Sequence, residues 1–217
     1  MNRRAALFDM DRTLVRVDTA TLYVRYQREK GDATFRDVTR VAWWMLQYTL
    51  GVIDAQKVAV RALASFKGKE ETWLRDTCEE WFADYVLTHV AAEGRKAVER
   101  HRENGDFIAV VTGTTPYAAM PLARELGIEH VIATHLEVEE GRFTGRVMQP
   151  MSYGPGKVVL TEALGREHDF SLDSATFYSD SITDLPLLER VETAVAVNPD
   201  ARLRRIANQR KWRIERW

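Results

Sequence analysis

Four short apolar runs set the terms on which this chain folds: Ala5 to Phe8, Phe107 to Val111, Ala175 to Tyr178 and Ala194 to Val197. Each consists of β-branched, aromatic or small residues and is bounded by a turn or by acids, the pattern of a strand buried on both faces. Helix-length patterns lie between and beside them, at Ala91 to Asn104, Pro116 to Leu126, Gly156 to Arg166 and Ile182 to Val191. Strands that alternate with helices predict a parallel sheet covered on both faces, a three-layer α/β/α arrangement. Glu137 to Val147, with Gly141 and Gly145 between alternating residues, reads as a small antiparallel hairpin.

Residues 17–90 break the alternation. They offer no convincing strand but four amphipathic runs, Thr19 to Lys30, Phe35 to Leu50, Ala55 to Phe66 and Glu70 to Thr88, punctuated by Gly31, Gly51 and Gly68. The division expected is a core of residues 1–16 and 91–217 with an all-helical insertion of residues 17–90. An insertion placed directly after the first strand lies over the carboxyl rim of the sheet, where it serves as a lid that excludes water and selects a substrate.

The charge balance narrows the partners. With 31 basic and 32 acidic residues the net charge is −1, which supplies no bulk attraction to nucleic acid or anionic lipid. The basic stretch from Arg202 to Arg216 is interleaved with Leu203, Ile206, Trp212 and Ile214 and reads as a packed helix and final strand with a solvated face. The single cysteine, Cys78, excludes an internal disulfide framework. The longest greasy stretch, Val41 to Leu50, is far short of the ~20 residues that span a bilayer, so no transmembrane segment is expected and the protein is read as cytoplasmic. Five scattered histidines show no zinc-ligand spacing.

Chemistry concentrates where the strands stop. The first apolar run ends in Asp9-Met10-Asp11-Arg12-Thr13, and two acids at the carboxyl end of a strand predict a site for a hard cation such as Mg²⁺. After the second run come Thr112-Gly113-Thr114-Thr115, a hydroxyl and exposed amides beside a helix start, suited to phosphate oxygens. Lys157 closes the flexible run Tyr153-Gly154-Pro155-Gly156 at another helix start. The third run ends in Ser179-Asp180, with Asp184 four residues on.

These four motifs, in this order and each after a strand or at a helix start, identify the chain as similar to the haloacid dehalogenase (HAD) superfamily, in the subgroup that resembles phosphoserine phosphatase. The resemblance implies a Rossmann-like core with a helical cap between the first and second motifs. It implies that Asp9 is a nucleophile that forms an aspartyl-phosphate and that Asp11 acts first as acid, then as base. Mg²⁺ would be held by the side chains of Asp9 and Asp180 and the carbonyl of Asp11, with Asp184 orienting that shell or its waters. Thr112, Gly113 and Lys157 would hold the transferring phosphoryl group. Arg12 stands where many relatives have glycine or another small residue, and Ser179 where a glycine is frequent.

The substrate implied is a small phosphate ester. In phosphoserine phosphatases a glutamate soon after the first motif binds the amine and a cap arginine binds the carboxylate. Asp18 occupies roughly the first position, where an N-cap for the following helix is an equal reading. Arg61 stands one residue off register for the second, about 100° around a helix. An amino-alcohol phosphate such as histidinol phosphate keeps the use for Asp18 without requiring Arg61. Trp43 and Trp44 read as packing of the insertion, as a homodimer contact or as a pocket for a ring or lipid chain, which would make a lipid or lysolipid phosphate the substrate. Transfer to an alcohol instead of water, and metabolite binding without turnover, are the other readings.

Overall fold

The computed structural model describes residues 3–31 and 55–217. Six parallel strands form the central sheet: β1 (Arg3–Phe8), β2 (Phe107–Val111), β3 (His130–Ile132), β6 (Phe170–Ser179), β7 (Thr193–Val197) and β8 (Arg213–Glu215). Their order across the sheet is β3-β2-β1-β6-β7-β8. A separate antiparallel hairpin pairs β4 (Leu136–Glu139) with β5 (Arg142–Val147).

Period-two alternation explains why β1 sits in the middle. Ala6 and Phe8 enter one apolar cluster with Val110, Tyr178 and Val195, whereas Ala5 and Leu7 enter the other with Ala109, Val111 and Phe177. Both faces of the strand are therefore dry, as a strand with neighbours on both sides and helices above and below requires. The first face is covered by α4 (Ala92–Glu103) and α5 (Pro116–Glu125), and the second by α7 (Leu185–Leu188) and α8 (Ala201–Arg210). This is the parallel α/β/α architecture that the sequence predicts.

The chain leaves β1 for β2 and β3 on one side, then returns to pair β6 against the other side of β1. The strand order thus reverses between β1 and β6, and in an open α/β sheet a crevice opens outside the carboxyl ends of the strands at such a point. Between β1 and β2 the described residues are helical: α1 (Thr19–Glu29), α2 (Ala55–Ala64) and α3 (Glu71–Trp81). A wider π-type turn (Phe82–Val86) and a 3₁₀ turn (Leu87–His89) follow α3. The helix expected over Phe35 to Leu50, with Trp43 and Trp44, lies outside the described residues. No helix among the described residues is long and apolar enough to cross a membrane.

Two expectations need revision. The three-residue strand β3 has no counterpart in the sequence reading, because its pattern is too short to stand out from a loop. The single helix expected over Ile182 to Val191 is instead a 3₁₀ turn (Ile182–Asp184) followed by the four-residue α7. Pro186 lacks the N–H that would continue an i→i−4 ladder, and its ring crowds the carbonyl of Ile182, so the helix restarts there.

Candidate active site

The predicted chemical groups stand at strand ends and a helix start around this crevice. Asp9 follows β1, Thr112 follows β2, Asp180 follows β6, and Lys157 lies in the first turn of α6 (Pro155–Glu167). Met10, Leu14 and Val15 are fully buried, and the Val15 N–H donates to the Met10 carbonyl at 2.9 Å, so the apolar residues anchor the loop after β1 from beneath.

Lys157 is the hub. Its Nζ donates to Asp9 Oδ1 at 2.8 Å and to Asp184 Oδ2 at 2.7 Å, and the residue is only 3% exposed. The approach of α6 depends on Gly156, since a Cβ there would lie 2.0 Å from the Met151 carbonyl oxygen, closer than any side chain tolerates. Asp184 is engaged a second time by the Ser179 hydroxyl, which donates to the same Oδ2 at 2.7 Å. Thr112 is buried, its N–H donates to the Ile132 carbonyl at 2.9 Å, and its Oγ1 accepts from the Thr114 N–H at 3.3 Å. Gly113 beside it is exposed, and no described hydrogen bond uses its N–H.

Charge is unbalanced in this site. Burial pushes the Asp9 carboxyl from 3.8 up to about 7; Lys157 opposes the rise, while Asp184 and Asp11 reinforce it. Burial and the neighbouring charges of Asp9 and Asp184 push Asp180 up to about 8, with Arg12 opposing. Burial disfavours the Lys157 ammonium, but Asp184 and Asp9 more than offset this and keep it charged. One ammonium facing several buried carboxyl groups leaves the cluster short of positive charge. Hard oxygen donors in that condition suit a small divalent cation. Among the described residues no three acidic, histidine or cysteine side chains converge tightly enough to hold a metal by themselves. Asp9 and Asp180 are the acids at the two strand ends that flank the reversal, so a cation bound there would draw its remaining ligands from backbone or water oxygens.

The remaining predicted residues divide. Asp11 accepts the Thr19 N–H on Oδ1 at 2.6 Å, and burial followed by the Asp18 charge raises it to about 6. Asp18 is the N-cap of α1, its Oδ1 accepting the Thr21 N–H at 3.0 Å. Arg61 is exposed on α2, and none of the site's described hydrogen bonds involves it. Two residues were missed. Asp200 N–H donates to the Asp180 carbonyl at 2.8 Å and its Oδ2 accepts the Ile182 N–H at 2.8 Å, clamping the loop after β6 while Oδ1 caps α8. Asn198 Nδ2 donates to the Arg12 carbonyl at 2.9 Å. The signal for Asp200 was present, since β7 is another apolar run that ends near an acid.

Arg12 has φ +52°, the left-handed region in which a side chain crowds its own carbonyl. This explains why small residues suit the position. Arg12→Gly relieves about 1–2 kcal/mol of strain against up to about 1 kcal/mol of added chain entropy in the unfolded state. A net gain of about 0.5–1 kcal/mol in urea unfolding is expected, and equal or lower stability would count against the strain.

Known proteins resemble this chain over nearly its whole length. The model of the haloacid dehalogenase-like hydrolase family matches residues 6–189. The phosphoserine phosphatase of Mycobacterium tuberculosis is 33% identical over 97% of this chain and 70% of its own. The histidinol-phosphatase of Neisseria meningitidis serogroup C is 31% identical over 98% of each chain. The crystal structure of a protein of unknown function from Bordetella pertussis Tohama I superposes with a TM-score of 0.90 at 32% identity, covering 99% of both chains.

Proposed function

This chain belongs to the haloacid dehalogenase-like hydrolases, and from that premise we propose that it is a Mg²⁺-dependent phosphomonoesterase acting on a small amine-bearing phosphate ester through an aspartyl-phosphate. The observation that carries the reading is the buried Asp9–Lys157–Asp184 bridge at the point where the strand order reverses. Residues 17–90 are read as a cap over a core of residues 1–16 and 91–217. The contact of Thr19, the first residue of α1, with Asp11 supports that reading.

Lys157 holds Asp9 by Oδ1, which leaves Oδ2 to attack phosphorus. As that bond forms, the bond from phosphorus to the leaving alkoxide breaks and Asp11 gives the alkoxide its proton. Burial raises Asp11 to about 6, closer to the pH at which the group must give and later take a proton. Water then attacks the phosphorus, Asp11 takes its proton, and the bond to Asp9 breaks to release inorganic phosphate. Thr112, the Gly113 N–H and Lys157 hold the phosphoryl oxygens throughout. Asp9, Asp180 and the Asp11 carbonyl would hold Mg²⁺, with Asp184 orienting that shell, and the cation would neutralise charge at those oxygens.

For the substrate, Asp18 lies close enough to Asp11 to raise its acidity range, so a cationic amine on the leaving group would meet two acids there. Arg61, the candidate for binding a carboxylate, faces solvent. This favours an amino-alcohol phosphate such as histidinol phosphate over phosphoserine, and the relative matched end to end carries the former name. A panel of phosphate esters with Mg²⁺ tests the reading: kcat/KM highest for phosphorylated amino alcohols is expected, and an inert wild type overturns it. Asp11→Asn gives a finer test. Loss of about 10²–10⁴-fold is expected on alkyl phosphates, but a smaller loss in the first step with p-nitrophenyl phosphate, whose leaving group needs no proton. Equal losses in that step would remove Asp11 from the proton transfer.

A further inference from the structure

Ser179 is fully buried, and both hydrogen-bonding capacities of its hydroxyl are used. A carboxylate only accepts, so the hydroxyl proton goes to Asp184 Oδ2 at 2.7 Å, and its oxygen accepts the Ser181 N–H at 3.2 Å. The two residues it joins flank different parts of the site. Ser181 follows Asp180 directly, and Asp184 Oδ2 also receives Lys157 Nζ at 2.7 Å, which in turn reaches Asp9 at 2.8 Å. We propose that Ser179 is a positioning residue that sets the Asp184 carboxylate, and through it the Lys157 ammonium, against Asp9; this rests on the phosphomonoesterase reading above.

The backbone of this loop already has another clamp. Asp200 holds the Asp180 carbonyl and the Ile182 N–H from outside. The Ser179 hydroxyl adds to that clamp only through the Ser181 N–H. What it uniquely supplies is a second donor on Asp184 Oδ2, which stops the carboxylate from rotating to follow the long lysine side chain. A glycine or alanine at this position would leave Lys157 as the sole described donor to a buried acid. Partners of this kind typically change activity or metal affinity by about 10–100-fold.

The test is a double-mutant cycle with Asp184→Asn, read by turnover of p-nitrophenyl phosphate and by Mg²⁺ titration calorimetry. Ser179→Ala alone is expected to lower kcat about 10-fold, leave KM for the ester within about 2-fold and weaken Mg²⁺ binding several-fold. In the Asp184→Asn background the same change is expected to cost less than about 2-fold in both readouts, because the group it acts through is gone. Equal costs in both backgrounds overturn the proposal, as does a loss confined to melting temperature with kcat per folded molecule unchanged. Ser179→Gly serves as the second variant; failure of both to fold makes the role structural and overturns it too. An active wild type with an additive cycle sinks the role of Ser179 alone, whereas a wild type that neither turns over nor binds Mg²⁺ sinks the function and this role together.

Discussion

Asp9→Asn is expected to abolish phosphate-ester turnover, by about 10³-fold or more, while making the metal-free protein more stable. The two effects have one cause. Asp9 sits among like charges in a buried site, and its rise from 3.8 to about 7 amounts to about 4 kcal/mol against folding when fully expressed. Asparagine removes that penalty but gives Lys157 a neutral partner in place of a carboxylate, so a net gain of about 1–2 kcal/mol is the expectation. The pH dependence follows from the sign of the shift. Below pH 4 both folded and unfolded chains carry the proton, and the penalty is absent. As pH rises from 4 to 7 the unfolded chain loses its proton while the folded chain keeps it, so the wild type loses stability across that window. Thermal unfolding in chelator at pH 5 and pH 8 checks this: the advantage of the variant should widen at pH 8. A variant that melts lower than wild type at both values would show that the Lys157 bridge outweighs burial.

Lys157→Met is expected to fail in both respects. Methionine keeps the volume and the straight chain but removes the cation between Asp9 and Asp184, leaving two buried acids in mutual repulsion. Breaking a buried pair by removing one partner typically costs about 3–5 kcal/mol. Asp9, whose burial already pushes it up to about 7, escapes part of that by taking up a proton, so the loss should be larger at pH 8 than at pH 5. Turnover should fall to background, since the phosphoryl group loses its fixed positive partner. Denaturant unfolding at the two pH values, beside steady-state kinetics, separates the parts. Near-normal stability at pH 8 would mean that the acids are screened by solvent more than their burial indicates.

Much of the framework was legible in the residues. The runs at Ala5 to Phe8 and Phe107 to Val111 announced strands through their two-sided burial, and the acids or hydroxyls that end them announced the rim. The hairpin, the α4, α5 and α6 helices and the helical character of the described part of residues 17–90 followed from period and punctuation. What escaped was short or conditional. β3 has three residues, too few for a pattern, and Pro186 splits an otherwise periodic helix. Ser179 and Arg12 stood out as departures from a resembling family, but the sequence offered no reason for either. The reasons are a shared carboxylate oxygen in one case and a left-handed backbone in the other.

Taken alone, the sequence determined what local periodicity and local chemistry determine: the strands, most helices, and the placement of Asp9, Asp11, Thr112 and Asp180 at strand ends. Tertiary structure alone decided which of these groups meet. Lys157 lies 148 positions from Asp9, and its pairing with both Asp9 and Asp184 depends on the strand order and on the close passage of Gly156 past Met151. It also decided that Asp18 caps a helix and that Arg61 faces solvent, since a side chain's direction is set by the turn and packing around it. Periodicity reports which face of an element is buried, but only the folded chain reports what lies opposite that face.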